Sequence, residues 1–141
     1  MTPSSFGRRA DRLARRWGDP VLTIAKAELV YPETALAIAI LETGGFQARR
    51  MMKGHNWFGF RKSSRGYQSS VRGGYGVYAS SQDAIRDYAE WESQTIIRYG
   101  LNSETAFRRW ITRHYAEDPQ YAQKLYGSIR AIHQTELTQW H

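Results

Sequence analysis

The segment "PETALAIAILETGGF", Pro32 to Phe46, constrains this chain more than any other. Seven apolar residues, Ala35 to Leu41, run without a break into one carboxylate, Glu42, with Gly44 and Gly45 close behind. A helix that is apolar nearly all round has no face to give to water, so about Glu33 to Thr43 is expected as a buried central helix. Tyr31-Pro32 marks its start, because the residue before a proline is pushed out of the α region. The glycine pair marks its end. Glu42 then has two readings: the first solvated residue past a buried helix, or an acid delivered partly desolvated into a cleft. The segment alone leaves both open.

The rest of the chain supplies the setting. Phe6, Ala10, Leu13 and Trp17 recur at helical spacing up to Gly18, which predicts a short amphipathic helix. Asp19-Pro20 offers a cap followed by proline in the first turn and opens "VLTIAKAELVY". Residues 46 to 79 are rich in Gly, Ser and aromatics with no helical period; "FGFR" and "YGVYA" alternate like short strands, and "KSSRG" and "RGG" read as turns. Helices resume with Ser80 or Ser81 capping "QDAIRDYAEWESQTIIRYG", closed by Gly100. Asn102 or Ser103 caps "ETAFRRWITRHYA", whose apolar face is Ala106, Phe107, Trp110 and Ile111. Asp118-Pro119 repeats the cap-and-proline device before a last helix facing inward through Tyr121, Leu125, Ile129 and Ile132. The expected fold is mostly α (α+β), one domain over residues 1–141, with a small glycine-rich β-hairpin lobe at about 46–79.

A chain of 141 residues closes one core. It has no cysteine, which removes disulfides and thiolate metal sites. No histidine pair has metal-ligand spacing, and His55 and His114 read as hydrogen-bonding surface residues. No metal or cofactor is expected. The longest apolar run is far below the roughly 18 to 20 residues that span a bilayer, so membrane insertion is not expected. The arginine-rich N-terminus lacks a following apolar region of signal-peptide type.

The net charge of +7 is concentrated. Residues 43 to 82 contain no Asp or Glu, and they hold Arg49, Arg50, Lys53, Arg61, Lys62, Arg65 and Arg72. Such a field favours a polyanionic partner, whether nucleic acid or an anionic wall polymer. A nucleic-acid-binding module would use these arginines and aromatics, but it leaves Glu42 without a purpose, and no helix reads as a recognition helix. A wall-binding module without catalysis would have no need of the acid.

Placed in this architecture, Glu42 lies in the last turn of a buried helix. The negative end of the macrodipole and the apolar surroundings both favour its protonated form. A carboxylic acid that keeps its proton near neutral pH suits protonation of a leaving glycosidic oxygen. Four segments in series, "AIAILETGGFQ", "HNWFGFR", "GYGVYASSQDAIRDY" and "HYAEDPQYAQKLYGSI", resemble the successive motifs of the glucosaminidase family of peptidoglycan hydrolases. The resemblance covers roughly residues 32 to 132. It implies a lysozyme-like fold, with a substrate groove between the helical domain and the β lobe.

Carried over by position, the resemblance makes Glu42 the catalytic acid. It puts Asn56, Phe58 and Gly59 in the turn that shapes the groove floor, with Trp57 where the family has a plainer apolar residue. Tyr78 matches the tyrosine before the serine cap. Tyr115 and Tyr121 match the two tyrosines of "YAEDPQYA", one of which lies near the reacting sugar. Phe58, Tyr88 and Trp110 are also natural core residues, and Tyr121 is divided between core and groove.

Many members of the family it resembles carry a second carboxylate in the β lobe, and this chain has none there. Asp83 and Asp87 are nearest in sequence, but helix capping accounts for both. The expectation is an endo-β-N-acetylglucosaminidase in which the substrate's 2-acetamido group is the nucleophile, with Tyr121 or Tyr115 orienting it. A lytic transglycosylase or muramidase on the same glycan is the alternative. The expected partner is the peptidoglycan glycan strand, met as a monomer and without nucleic acid. The site of action is the cell wall or periplasm. Lacking a leader or an appended wall-binding repeat, the chain leans towards phage or prophage origin, reaching the wall by lysis or another export route.

Overall fold

The computed structural model describes residues 3–138. Seven helices and one hairpin follow in order among them: α1 (Pro3–Trp17), α2 (Asp19–Lys26), α3 (Pro32–Thr43), α4 (Arg49–Lys53), β1 (Ser70–Arg72), β2 (Tyr75–Val77), α5 (Ser81–Tyr99), α6 (Glu104–His114) and α7 (Tyr121–Thr138). The mostly helical fold with a small β lobe is the one expected. α3 runs through the middle, packed most extensively against α7 and also against α1 and α2. Its Ala35, Leu36, Ala37, Ile38 and Ala39 are all fully buried, as an all-round apolar helix requires. Phe6, Leu13, Val21, Ile24, Phe107, Ile111, Leu125 and Ile132 close around it.

The helix ends follow local chemistry. The Ser80 and Ser103 side chains accept hydrogen bonds from the backbone N–H of Asp83 (3.2 Å) and Ala106 (3.1 Å), and so cap α5 and α6. Gly100 closes α5 at φ 62°. Asp118 accepts from the Gln120 N–H at 2.8 Å just ahead of α7. In α2, Gly18 rather than Asp19 is the capping residue, and it makes no side-chain cap bond. This helix also stops at Lys26 instead of continuing to Tyr31. The cause lies across the core: the buried Glu92 carboxylate accepts the backbone N–H groups of Val30 (2.8 Å) and Tyr31 (3.1 Å). Those donors turn the chain into α3 rather than extending α2.

The β lobe pairs differently from the expectation. β1 and β2 are antiparallel, with Arg72 opposite Tyr75, and Gly73 and Gly74 form the turn at φ 57° and 85°. Two successive positive φ values fit a type I′ hairpin turn, which glycine adopts without strain. "SVR" therefore supplies the strand expected from "FGFR", of which only Arg61 bridges to Tyr75. α4, at five residues, is too short to show a helical period. Trp110, expected in the core, is half-buried and packs between Tyr99 (5.0 Å between centroids) and His114 (4.8 Å).

At the N-terminal end of α3, Glu33 is only 4% exposed. It is held by Arg9 (2.9 Å), His133 (2.6 Å) and Arg108 (3.4 Å). Arg9 also reaches Glu136, and Arg108 also reaches Glu104. This network ties α1, α3, α6 and α7 together. No helix among the described residues is long and apolar enough to cross a membrane.

Candidate active site

α3 ends in three successive left-handed residues: Gly44 (φ 58°), Gly45 (φ 70°) and Phe46 (φ 67°). The glycines accept this geometry freely; Phe46 does not. It is held by its N–H donating to Thr43 Oγ1 at 2.7 Å and by its ring packing edge-on to Trp57, 5.5 Å between centroids. The reversal carries the chain away from the helix end and leaves the last turn, with Glu42, facing an open cleft.

That cleft, about 980 Å³, is lined from the helical side by Leu41, Glu42, Tyr115, Tyr121 and Lys124, and from the β lobe by Gly59, Arg61 and Tyr75. Glu42 is half-buried and makes no ion pair among the described residues. Desolvation raises its pKa above the usual carboxylate value, against smaller lowering effects from the Tyr121 hydroxyl and the charges of Arg61 and Lys124. Of the two readings of Glu42, the structure shows the desolvated acid in a cleft.

Gly59 lies against the Glu42 carboxyl. At φ +71°, a Cβ on Gly59 would stand 2.2 Å from Glu42 Oε1 and 2.6 Å from Cδ. Both the backbone conformation and the close approach demand glycine. The loop carrying it is stapled by Asn56, whose amide donates to Phe60 O (2.9 Å) and Gly76 O (3.0 Å) and accepts from the Phe60 N–H (3.1 Å). A further tie is the Tyr115 hydroxyl, which donates to Phe58 O.

The expected site residues therefore divide. Glu42, Gly59, Tyr115 and Tyr121 come together in the cleft. Asn56, Trp57, Phe58 and Tyr78 do not line it: each is at most 5% exposed. Asn56 spends its amide inside the lobe, Trp57 packs on Phe46, and Phe58 stacks on Tyr88 at 4.3 Å. The Tyr78 hydroxyl donates to Asp87 Oδ2 at 2.5 Å. These four hold the groove's shape from behind.

The two tyrosines also differ. Tyr115 has committed its hydroxyl to Phe58 O, whereas the buried Tyr121 hydroxyl has no partner in strict hydrogen-bond geometry among the described residues. It still lies close enough to Glu42 that burial and then the carboxylate's charge raise its pKa well above the phenol range. Tyr121 thus remains a neutral phenol beside the acid.

Asp87 corrects the capping expectation. It is fully buried in α5 and receives Arg65, Ser63 Oγ and Tyr78, so it anchors the lobe. Asp83 does sit at the start of α5, paired with Arg86 at 2.9 Å. Arg65 is accordingly structural and leaves the field of cations that face solvent.

Sequence reading passed over Arg61, Tyr75, Glu117, Asp118 and Lys124 as cleft residues. Lys124 had a signal, since it lies three residues after Tyr121 and shares its face of α7. Asp118 pairs with Lys124 at 2.5 Å, and that contact first, then the Gln120 N–H, holds its pKa below the usual value. No cluster of three or more His, Asp or Glu able to hold a metal ion occurs among the described residues.

A family model described as "Glucosaminidase: Mannosyl-glycoprotein endo-beta-N-acetylglucosaminidase" matches residues 18–134. No curated protein sequence matches the chain. Among solved structures, the catalytic domain of the autolysin Auto from Listeria monocytogenes is similar, with a TM-score of 0.53 and 22% identity. The match covers 95% of this chain and 84% of that one. At that identity the likeness is one of fold.

Proposed function

The chain belongs to the glucosaminidase family and is a glycoside hydrolase of lysozyme-like fold; from that premise we propose that it cleaves β-1,4 bonds of bacterial peptidoglycan, as an endo-β-N-acetylglucosaminidase with Glu42 as its general acid. The observation that carries the reading is Glu42 itself: desolvated, without a salt-bridge partner among the described residues, and set in the wall of a cleft of about 980 Å³. The similarity in fold to an autolysin catalytic domain supports the choice of glycan. The site of action that follows is the cell wall.

The protonated Glu42 donates to the glycosidic oxygen as the bond to C1 breaks. A second carboxylate would be needed for a two-acid mechanism. Besides Glu42, the cleft offers only Glu117 on its exposed rim and Asp118, already neutralised by Lys124. The carbonyl oxygen of the 2-acetamido group therefore attacks C1 as the leaving oxygen departs, giving a cyclic oxazolinium. The Tyr121 hydroxyl holds that acetamido group in line. Glu42, now a carboxylate, takes a proton from water as the water's oxygen attacks C1 and reopens the ring. The acid is thereby restored.

Mass spectrometry of the soluble muropeptides released from purified walls tests this. Reducing N-acetylglucosamine ends are expected. Reducing muramic ends would make the enzyme a muramidase, and 1,6-anhydromuramic ends would make it a lytic transglycosylase.

A further inference from the structure

A second cavity, about 230 Å³, opens on the β lobe and is lined by Arg50, Lys53, Asn56, Ser70, Arg72 and Tyr75 among others. Tyr75 also lines the catalytic cleft, so the two cavities share that wall. Arg50 and Arg61 both lie over its ring, at 5.4 and 4.2 Å from the centroid, one belonging to each cavity. Arg50 is aimed by donating to the Arg72 carbonyl at 3.2 Å, and it crosses the hairpin turn where a Cβ on Gly73 would fall 1.6 Å from its Nη2.

The charges here are not compensated. Residues 43 to 82 contain no acid. Arg65 is bound to Asp87, but Arg50, Lys53 and Arg72 have no ion pair among the described residues. Three cations lining one small pocket favour an anion placed between them. At about 230 Å³ the pocket has room for a carboxylate-bearing side group.

We propose that this pocket receives a carboxylate of the peptide that branches from the glycan, so that the enzyme prefers peptide-bearing strands. The inference rests on the peptidoglycan reading. Arg50 supplies a planar fork suited to a carboxylate. Lys53 and Arg72 add charge from either side. Tyr75 separates the branch from the sugars in the cleft.

The test compares kcat/KM on soluble glycan fragments of one length, either carrying the stem peptide, stripped of it by an amidase, or carrying it with its carboxylates amidated. Measurements at 0.15 M salt, where the Debye length is about 8 Å, suppress long-range steering. For the wild-type enzyme, the peptide-bearing fragment should be preferred about tenfold over both others, the magnitude of one charge-assisted contact. The Lys53→Gln/Arg72→Gln double variant, which leaves the Arg50 tie to a backbone carbonyl in place, should bring that ratio close to one, mainly through KM. Arg50→Lys should keep part of the preference.

Cleavage of all three fragments at equal rates by the wild-type enzyme would overturn the inference and leave the hydrolase reading standing. Cleavage of none would sink the hydrolase reading. A defect in the double variant that appears only on whole walls, and vanishes once their phosphate polymers are removed, would assign the pocket to phosphodiesters and overturn the inference. A gel shift with DNA that the double variant abolishes, with unchanged fragment ratios, would overturn it as well.

Discussion

Glu33 and Glu42 stand at opposite ends of α3, on the same buried helix, and their surroundings drive them in opposite directions. Burial pushes both carboxyls towards the neutral form. At Glu33 that push is overcome by Arg9 and then His133, which hold the pKa below the usual value, and the helix N-terminus favours the anion as well. At Glu42 the opposing groups are weaker, the helix C-terminus disfavours the anion, and the pKa stays raised. Burial alone therefore does not decide protonation. Partners and position along the helix do, and the same helix holds a structural anion at one end and a carboxyl biased towards its neutral form at the other.

The linkage signs follow. A carboxyl with a lowered folded-state pKa contributes stability that is present above its unfolded value and lost as pH falls through the folded one. One with a raised pKa contributes stability that is fully present below its unfolded value, about 4.3 for glutamate, and is lost as pH rises through the folded value. At neutral pH, Glu33 supports the fold and an ionised Glu42 opposes it.

Exchanging each glutamate for its amide separates the two roles. Glu42→Gln is expected to lower kcat on purified walls by about 10²-fold or more, the usual worth of a general acid. Its unfolding midpoint at pH 7 should match or exceed that of the wild type, with any gain disappearing below about pH 4. Retention of a tenth of wild-type turnover would rule out Glu42 as the proton donor. Glu33→Gln should do the reverse. Breaking a buried ion-pair network costs about 3 kcal/mol, towards the low end because Arg9 and Arg108 keep Glu136 and Glu104. Urea unfolding measures that loss, while turnover per folded molecule should stay within a factor of about two.

Two smaller changes sharpen the contrast at the cleft. Gly59→Ala places a methyl where Glu42 Oε1 lies and forces an alanine to φ +71°. The backbone cost is about 1–2 kcal/mol. The displaced carboxyl should lose roughly tenfold in kcat, since small misplacements of a reacting group are expensive. A variant with full turnover would show that the loop yields instead of the acid. Asp83→Asn should change stability by no more than about 0.5 kcal/mol and leave turnover intact, as expected for an exposed pair with Arg86. A loss of turnover with normal stability would make Asp83 the second catalytic group. The corresponding change at Asp87 is uninformative about catalysis, because it frees Arg65 and Tyr78 from the lobe's anchor.

Legibility in the sequence tracked the range of the interactions. α3, its glycine stop and the serine caps of α5 and α6 depend on neighbours within a few residues, and they were readable. Glu42 was readable only as one of two alternatives, since the seven apolar residues before it allow a solvated residue as well as a desolvated acid. The role of Asp87 was not, because Arg65 and Tyr78 reach it from a loop whose path no local pattern specifies. The early end of α2 was hidden likewise, since Glu92 takes its backbone donors from the other side of the core. Tyr115 and Tyr121 look equivalent in "YAEDPQYA"; only the carbonyl of Phe58, far off in the chain, tells the hydroxyl tied to the β lobe from the one beside Glu42.

The most direct measurement is a carbon-13 NMR titration of both side-chain carboxyls in one sample, assigned with the Glu33→Gln and Glu42→Gln variants. Glu42 should titrate above the ordinary glutamate value of about 4.3, and Glu33 below it. The activity on walls should fall on the alkaline side with the same midpoint as Glu42. A Glu42 carboxyl that titrates at or below the ordinary value, as Glu33 is expected to, would contradict a proton donor poised by desolvation at the end of α3.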